Sequence, residues 1–451
     1  MMKPVAALSD SERFPLIDDL GFLKELRQDS SAPMFNFGSG DRLTSEKLAQ
    51  VNDYATRARA QQFWQKGTQP DWLPAFLEWC RATVPAYRSY QPGFLQMPSL
   101  RREQIASAQW QYVSDECIAD DMLVYNTSGS TGAAMDVLFD AVSQAAWIVQ
   151  LEAILAADGI RLEGGPGRVS ICLVCNQEST LTYASLSTYL RGAGILKINL
   201  NPADWREPQD CVCYLEKHDP EVLTGDPFTF LALAEKAPAI HPKALVSSAM
   251  TLHDGLRQRL ASQFKCPVYD IYSLTECRMI AVARESGVYR LIRPDLYVEI
   301  LHPDKDEVLR EGERGEIAIT GGINPFLPLI RYRTGDYGCL RHDNDLPCLH
   351  DLSGRAPVML VAADGRFINN VDVSRALCEF ALAGFSLHQR KDRTLEFAAW
   401  GEDVSEADIR RVFAKLFGPS VVCKIEIMGA GMPEGKKVQY SSEFSETDVC
   451  R

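Results

Sequence analysis

Pro267-Val-Tyr-Asp-Ile-Tyr-Ser-Leu-Thr-Glu276 begins as an apolar strand over Pro267–Ile271 and ends in polar groups at the strand's exit. An amphipathic helix, Asp254–Phe264, precedes it, and a strand at Pro242–Ser248 precedes that helix. Further upstream Phe228–Lys236 reads as helix and Pro220–Gly225 as strand. Gly194–Leu200 reads as strand, Leu181–Arg191 as helix and Val169–Val174 as a buried strand. Strands alternating with helices predict a parallel sheet covered on both faces.

Outward from this block the pattern changes twice. Residues 1 to about 110 read as helical and connecting segments, with Asp71–Cys80 carrying apolar residues at helical spacing. From about 288 to 350 strand pairs dominate, such as Leu296–Leu301 with Gly315–Thr320. A boundary is expected near 353–358, beyond which Leu395–Trp400, Ser405–Phe417 and Val421–Ile427 read strand, helix, strand. In that helix Ile409, Val412, Phe413 and Leu416 form one stripe, with Ser405 as N-cap and Gly418 as stop. The expected fold class is α/β. A large domain over 1–352 has mostly parallel sheets covered by helices plus a β-rich part, and a small mobile α+β domain spans 353–451.

Composition narrows the function classes. The 451 residues are 46% hydrophobic and 24% charged, ordinary values for a soluble globular protein. A net charge of −13 argues against nucleic-acid or anionic-membrane partners, which need a basic face. Met1–Arg13 is polar and does not read as a secretory signal, and Ala145–Ile160 is too short and polar to span a bilayer. Thirteen irregularly spaced cysteines point to a reduced, cytoplasmic protein. Cys339, His342, Cys348 and His350 crowd around one turn, yet their spacing matches no standard zinc module and reads as ordinary strand.

Three segments carry chemistry. Thr127-Ser-Gly-Ser-Thr-Gly132 follows the strand-like run Met122–Tyr125; its glycines and hydroxyls can turn donors toward an anion, or form a plain surface turn. No Gly-Lys-Ser/Thr ends it, so it is not a Walker A loop. In Tyr272-Ser-Leu-Thr-Glu276 the Tyr can stack on a planar base and the Glu can hold Mg²⁺; the bland alternative is a buried Tyr and a solvated Glu. In Arg331-Tyr-Arg-Thr-Gly-Asp336 the Asp can accept bonds from a ribose diol, while Arg331 and Arg333 can be salt-bridging surface residues.

With Ser353-Gly-Arg355 and Glu434-Gly-Lys-Lys437 added, the set resembles the adenylate-forming superfamily of acyl-CoA synthetases, peptide-synthetase adenylation domains and luciferases. The nearest likeness is to its phenylacetate–CoA ligase and capsular-biosynthesis-like branch. It is carried by Leu327–Asp336, Glu434–Val438, Val84-Pro-Ala-Tyr-Arg88 and Met97-Pro-Ser-Leu-Arg-Arg-Glu103, and it runs from about 75 to 440. The resemblance implies that Thr127, Ser128, Gly129, Ser130, Thr131 and Gly132 wrap the β- and γ-phosphates. Ser248, Ala249 and Met250 would lie against adenine, Asp270 would bond its amino group, and Tyr272, next to Ile271, would stack on the ring. Thr275 would sit by the α-phosphate, Glu276 would bind Mg²⁺, and Asp336 with Arg355 would hold the ribose. Lys436 would bridge the substrate carboxylate and the α-phosphate, with Lys437 the competing candidate. Cys175, Asn176, Tyr183, Ser248 and Met279 are candidates for the acyl pocket wall.

The implied activity is ATP-dependent activation of a carboxylic acid as acyl-AMP, with an aromatic or cyclic acid favoured by the branch. Acyl transfer to CoA, a carrier-protein phosphopantetheine or an amine follows, and a homodimer is in keeping with large α/β enzymes. The chain also departs from the pattern. Ala133-Ala-Met135 replaces the usual lysine-containing stretch, Pro357 stands at the hinge position, and Ser273 replaces the usual glycine. The first two departures support a second reading, an inactive nucleotide-binding or scaffold protein on the same fold. A kinase-like ligase releasing ADP is a third reading, weakened by the absence of a Walker A loop.

Overall fold

The computed structural model describes residues 8–90, 93–126, 135–285, 287–354, 358–401, 404–429 and 439–444. Its centre is a twelve-stranded sheet. Five adjacent strands run parallel, in the order Val268–Leu274, Ala244–Ser248, Val222–Gly225, Val169–Cys175 and Ala193–Asn199. Alternation along these strands splits the core in two. Cys172, Leu223, Leu245 and Val268 face helices Asp210–His218, Pro227–Lys236 and Asp254–Phe264. Ile171, Val222, Val246 and Tyr269 face the helix Ala141–Ala156 through Ile148, Leu151, Ile154 and Leu155. Both faces are covered, as a parallel sheet requires.

The helices begin where their sequence dictates. Asp140 accepts the Ser143 backbone N–H at 2.7 Å, and Asp226 accepts that of Thr229 at 2.8 Å with Pro227 in the first turn.

Beyond Val268–Leu274 the sheet turns antiparallel, through Arg278–Ala283, Val288–Leu291, Leu346–Ser353, Leu329–Asp343, Gly315–Gly321 and Leu296–Leu301. The antiparallel part is larger than the sequence suggested, because short turns rather than helical crossovers join the later strands. One expectation fails outright. Leu181–Arg191 contains no helix: Tyr183–Ser187 is an edge strand paired antiparallel with Ala193–Asn199. The turn between them uses Arg191 and Gly192 at φ 58° and 84°. Four of that strand's five residues are buried, so no polar alternation marked it as a strand.

Among the described residues from 358 onward, the strands pair with one another. Met359–Val361 pairs with Phe367–Asn369, and a four-stranded sheet runs Cys423–Met428, Leu395–Gly401, Leu382–Gln389, Tyr440–Ser442. Helix Glu406–Phe417 covers it through Ile409, Phe413 and Phe417, capped by Ser405 and stopped at Gly418. This sheet rests on helices Pro227–Lys236 and Asp254–Phe264. The Phe228 and Trp400 rings meet edge-on at 5.8 Å, and His253 lies 5.6 Å from the Phe385 ring. Gly255 donates its N–H to Cys378 O at 3.2 Å, and the Cys378 thiol donates to Asp254 at 3.4 Å.

Among the described residues no helix is long and apolar enough to cross a membrane. Among them also, no three His, Cys, Asp or Glu side chains are placed to hold a metal. Across the hairpin of Leu329–Asp343 with Leu346–Ser353, Cys339 pairs with His350 and His342 with Pro347; His350 bonds Asp343 at 3.1 Å.

Candidate active site

The strand Val268–Leu274 ends in a three-residue turn, Thr275–Cys277, that returns into Arg278–Ala283 with Leu274 opposite Arg278. Tyr272 therefore sits beside the strand's exit, and Thr275 and Glu276 occupy the hairpin tip. Leu329–Asp343 brings Asp336 to the same place: the Tyr272 hydroxyl donates to Asp336 Oδ2 at 2.8 Å. A Cβ on Gly354 would lie 3.4 Å from Asp336 Oδ1, so the Ser353-Gly354 turn closes against the same carboxylate. Three of the segments read from the sequence thus converge. Burial and the neighbouring Asp336 charge push the Tyr272 hydroxyl well above the usual tyrosine range.

The other expected contacts vary. Ser248 ends its strand, Ala249 takes the left-handed φ of 69°, and Met250 is exposed. Asp270 and Ile271 are buried. Asp270 Oδ2 accepts from the Tyr289 hydroxyl at 2.6 Å and the Leu252 N–H at 3.0 Å. Its carboxyl is raised by burial, and through Oδ2 it braces the 249–252 loop. Thr127–Gly132, Arg355, Pro357, Lys436 and Lys437 lie outside the described residues. The strands flanking the 127–134 segment are Leu123–Asn126 and Asp136–Phe139, paired with Asn126 opposite Asp136.

Glu276 is not solvated. It is 3% exposed, and its Oε1 accepts from the Tyr332 hydroxyl at 2.8 Å and Arg102 Nη1 at 3.1 Å. Oε2 makes no hydrogen bond among the described residues. Arg102 begins the helix Arg102–Ser107, directly after Met97–Arg101. That opening segment is stitched to the Arg331–Arg333 stretch: Leu100 N–H donates to Arg331 O at 3.0 Å, and Arg333 N–H donates to Leu100 O at 2.8 Å. Arg331 and Arg333 are ion-paired as expected but are not on the surface. Arg331 is 1% exposed, pairs with Glu299 at 3.4 Å and donates to Met97 O at 2.7 Å. Arg333 pairs with Glu316 at 2.5 Å. These arginines hold the frame that delivers Arg102 to Glu276.

The acyl-wall candidates only partly assemble. Tyr183 lies within electrostatic reach of Tyr125, Cys175 and Arg278, with burial raising its hydroxyl. Met279 donates its N–H to Gln150 at 3.2 Å, and Ser248 and Cys175 end parallel strands that flank Val222–Gly225 on either side. Asn176 follows the end of its strand. None of these five lines the small cavity beneath the hairpin. Its wall includes Phe139, Ser143, Gln150, Glu276, Arg278 and Asn324. Arg278, Arg102 and Tyr332 were not singled out from sequence; an arginine opening the otherwise apolar strand after Glu276 was the available signal.

Residues 90–324, more than half of the chain, match the family model described as AMP-binding enzyme. The chain belongs to the AMP-binding enzyme family. Its relatives include phenylacetate-coenzyme A ligase of Pseudomonas putida, 27% identical over 183 residues, 38% of this chain and 42% of that one. The Thermus thermophilus phenylacetate-coenzyme A ligase is 24% identical over 249 residues, 51% and 56% of the two chains. Protein CapK of Staphylococcus aureus is 22% identical over 300 residues, 62% and 63%. The chain thus matches less than two thirds of the length of each of these curated relatives. A 2-hydroxyisobutyryl-CoA ligase structure in the postadenylation state superposes with a TM-score of 0.57 at 16% identity, covering 88% of this chain and 89% of that one. At that identity the likeness is one of fold, and it shows the AMP-binding enzyme fold extending over most of the chain.

Proposed function

We propose that this protein activates a carboxylic acid with ATP as acyl-AMP and passes the acyl group to a thiol. The observation that carries the reading is the meeting of Tyr272, Asp336 and Gly354 at the tip that also holds Thr275 and Glu276. It supports a nucleotide seat in a family whose curated relatives include two CoA ligases. In the first step a substrate carboxylate oxygen bonds to the α-phosphorus, and the bond to pyrophosphate breaks. In the second, a thiolate sulfur bonds to the acyl carbon and AMP leaves. CoA is the favoured acceptor; a carrier-protein phosphopantetheine or an amine obeys the same balance.

The residues divide the work. Ser248, Ala249, Met250 and Tyr272 form the adenine seat, with Asp270 and Ile271 behind it, and Asp336 with Arg355 takes the ribose. Thr127–Gly132 cradles the phosphates, and Thr275 and Lys436 flank the reacting carboxylate and α-phosphate, the lysine carried in by residues 353–451 as a lid. A cation there offsets anion meeting anion. The unbonded Glu276 Oε2 fits a single hard-oxygen ligand for Mg²⁺, which would supply charge neutralisation on the phosphates. Arg102 and Tyr332 would fix that carboxylate through Oε1.

The same Arg102–Glu276 pairing favours the inactive-scaffold alternative, in which an arginine fills the metal's place. ATP–pyrophosphate exchange across aryl, fatty, amino and dicarboxylic acids separates the two. Acid-dependent exchange that collapses in Lys436→Ala is the expected result. Mg²⁺–ATP binding without exchange for any acid would favour the scaffold.

A further inference from the structure

We propose that Arg278 recognises a second anionic group on the acid, so that the preferred substrate is a small dicarboxylate rather than an apolar aromatic acid. The inference deepens the adenylation reading and rests on it.

The arginine stands two residues beyond Glu276, at a φ of 66° that side-chain-bearing residues rarely adopt. Such a position favours glycine, and strained backbone kept with a long side chain clusters at functional sites. The guanidinium lies 3.9 Å from the Phe139 ring centroid and 4.8 Å from that of Tyr125. It donates to Gln144 Oε1. Its Nε is buried without a hydrogen-bond partner, and among the described residues it makes no ion pair. Glu276 shares the cavity wall, but its carboxylate is already ion-paired with Arg102 at 3.1 Å. Arg293, the other cation there, is paired with Asp295 at 2.5 Å.

A desolvated cation without a counter-charge is an incomplete arrangement that an anion completes. The cavity, about 20 Å³, admits one small polar group and no ring. The two aromatic faces that would otherwise receive an apolar acid are already covered by the cation. A planar carboxylate matches the guanidinium's fork of donors.

The test is pyrophosphate exchange with matched pairs, butyrate against succinate and benzoate against isophthalate, in wild type, Arg278→Met and Arg278→Lys. Binding is read in parallel from the shift in melting temperature on adding each acid, which needs no turnover. A preference of about tenfold or more in kcat/KM for the diacid is expected, matching one charge-assisted hydrogen bond. It should invert in Arg278→Met and be partly kept in Arg278→Lys, with the KM for Mg²⁺–ATP unmoved. If Arg278→Met does not fold, Gln144→Leu, which removes the guanidinium's tether, should weaken the preference instead. A wild type that favours the monoacids, a ratio that survives Arg278→Met, or a raised KM for ATP in place of the acid would overturn the proposal. Exchange absent for every acid would sink adenylation alone, provided succinate still stabilises wild type and not Arg278→Met. Neither exchange nor a shift would sink both.

Discussion

Tyr272 and Asp336 are 64 positions apart and share one hydrogen bond, so each sets the other's place. If Asp336 holds the ribose as proposed, Asp336→Asn should raise the KM for ATP about tenfold by weakening those charged bonds. Tyr272→Phe should change it less while costing about 1 kcal/mol of stability in urea unfolding. A Phe variant as impaired for ATP as Asn would show the hydroxyl itself in the nucleotide contact. Arg331 makes the opposite kind of contribution. Arg331→Met would leave Glu299 buried without its partner and should cost about 3–5 kcal/mol, most of it recovered in Arg331→Met/Glu299→Leu. If the single and double variants unfold at the same urea concentration, the pair is not the source of the cost. Among these residues Tyr272, Glu276 and Asp336 stand out in the sequence as candidates because they sit in patterned segments. Arg102 and Arg278 were not: their roles depend on which carboxylate or ring lies opposite, and only the folded chain determines that.

Elements were legible where their ends carry local chemistry. Glu406–Phe417 follows from Ser405, its apolar stripe and Gly418, and Asp254–Phe264 from its amphipathic spacing. Tyr183–Ser187 was misread because burial on both faces erased the alternation that marks a strand. The seam between helix Asp254–Phe264 and the C-terminal sheet left no mark in the pattern either. Gly255 there lies so close to the chain that a Cβ would collide with the backbone of Phe380 and Ala381. Gly255→Ala should therefore prise the seam apart at a cost of about 1–3 kcal/mol. Limited proteolysis should then cut near 378–381 faster than in wild type, and an unchanged digestion pattern would contradict the packing.

At the scale of the molecule, acid acts on the same seam. Burial pulls His253 down to about 4, against the charge of Asp254, so the folded protein holds it neutral. Its contribution is complete above the unfolded value of 6.5 and is lost as pH falls through about 4, worth up to about 3 kcal/mol. Asp41 and Glu299 oppose it. Their carboxyls are raised by burial to about 6 and about 7, so their stabilising effect is present at low pH and lost as pH rises through those values. The difference in melting temperature between wild type and His253→Gln isolates the histidine. It should shrink from pH 7 to pH 4, and a constant difference would remove His253 from the account.

The Cys378 thiol, held against Asp254, gives this molecule a clock of its own. Cys213 is exposed and should be alkylated at once, whereas the thiols of Cys172 and Cys277 are buried and raised, and should wait for global unfolding. Between these limits Cys378, partly buried at the helix–sheet seam, should take up label at a rate that rises as the seam opens. Timed labelling read by mass spectrometry would then measure how often this seam comes undone, without a single engineered probe.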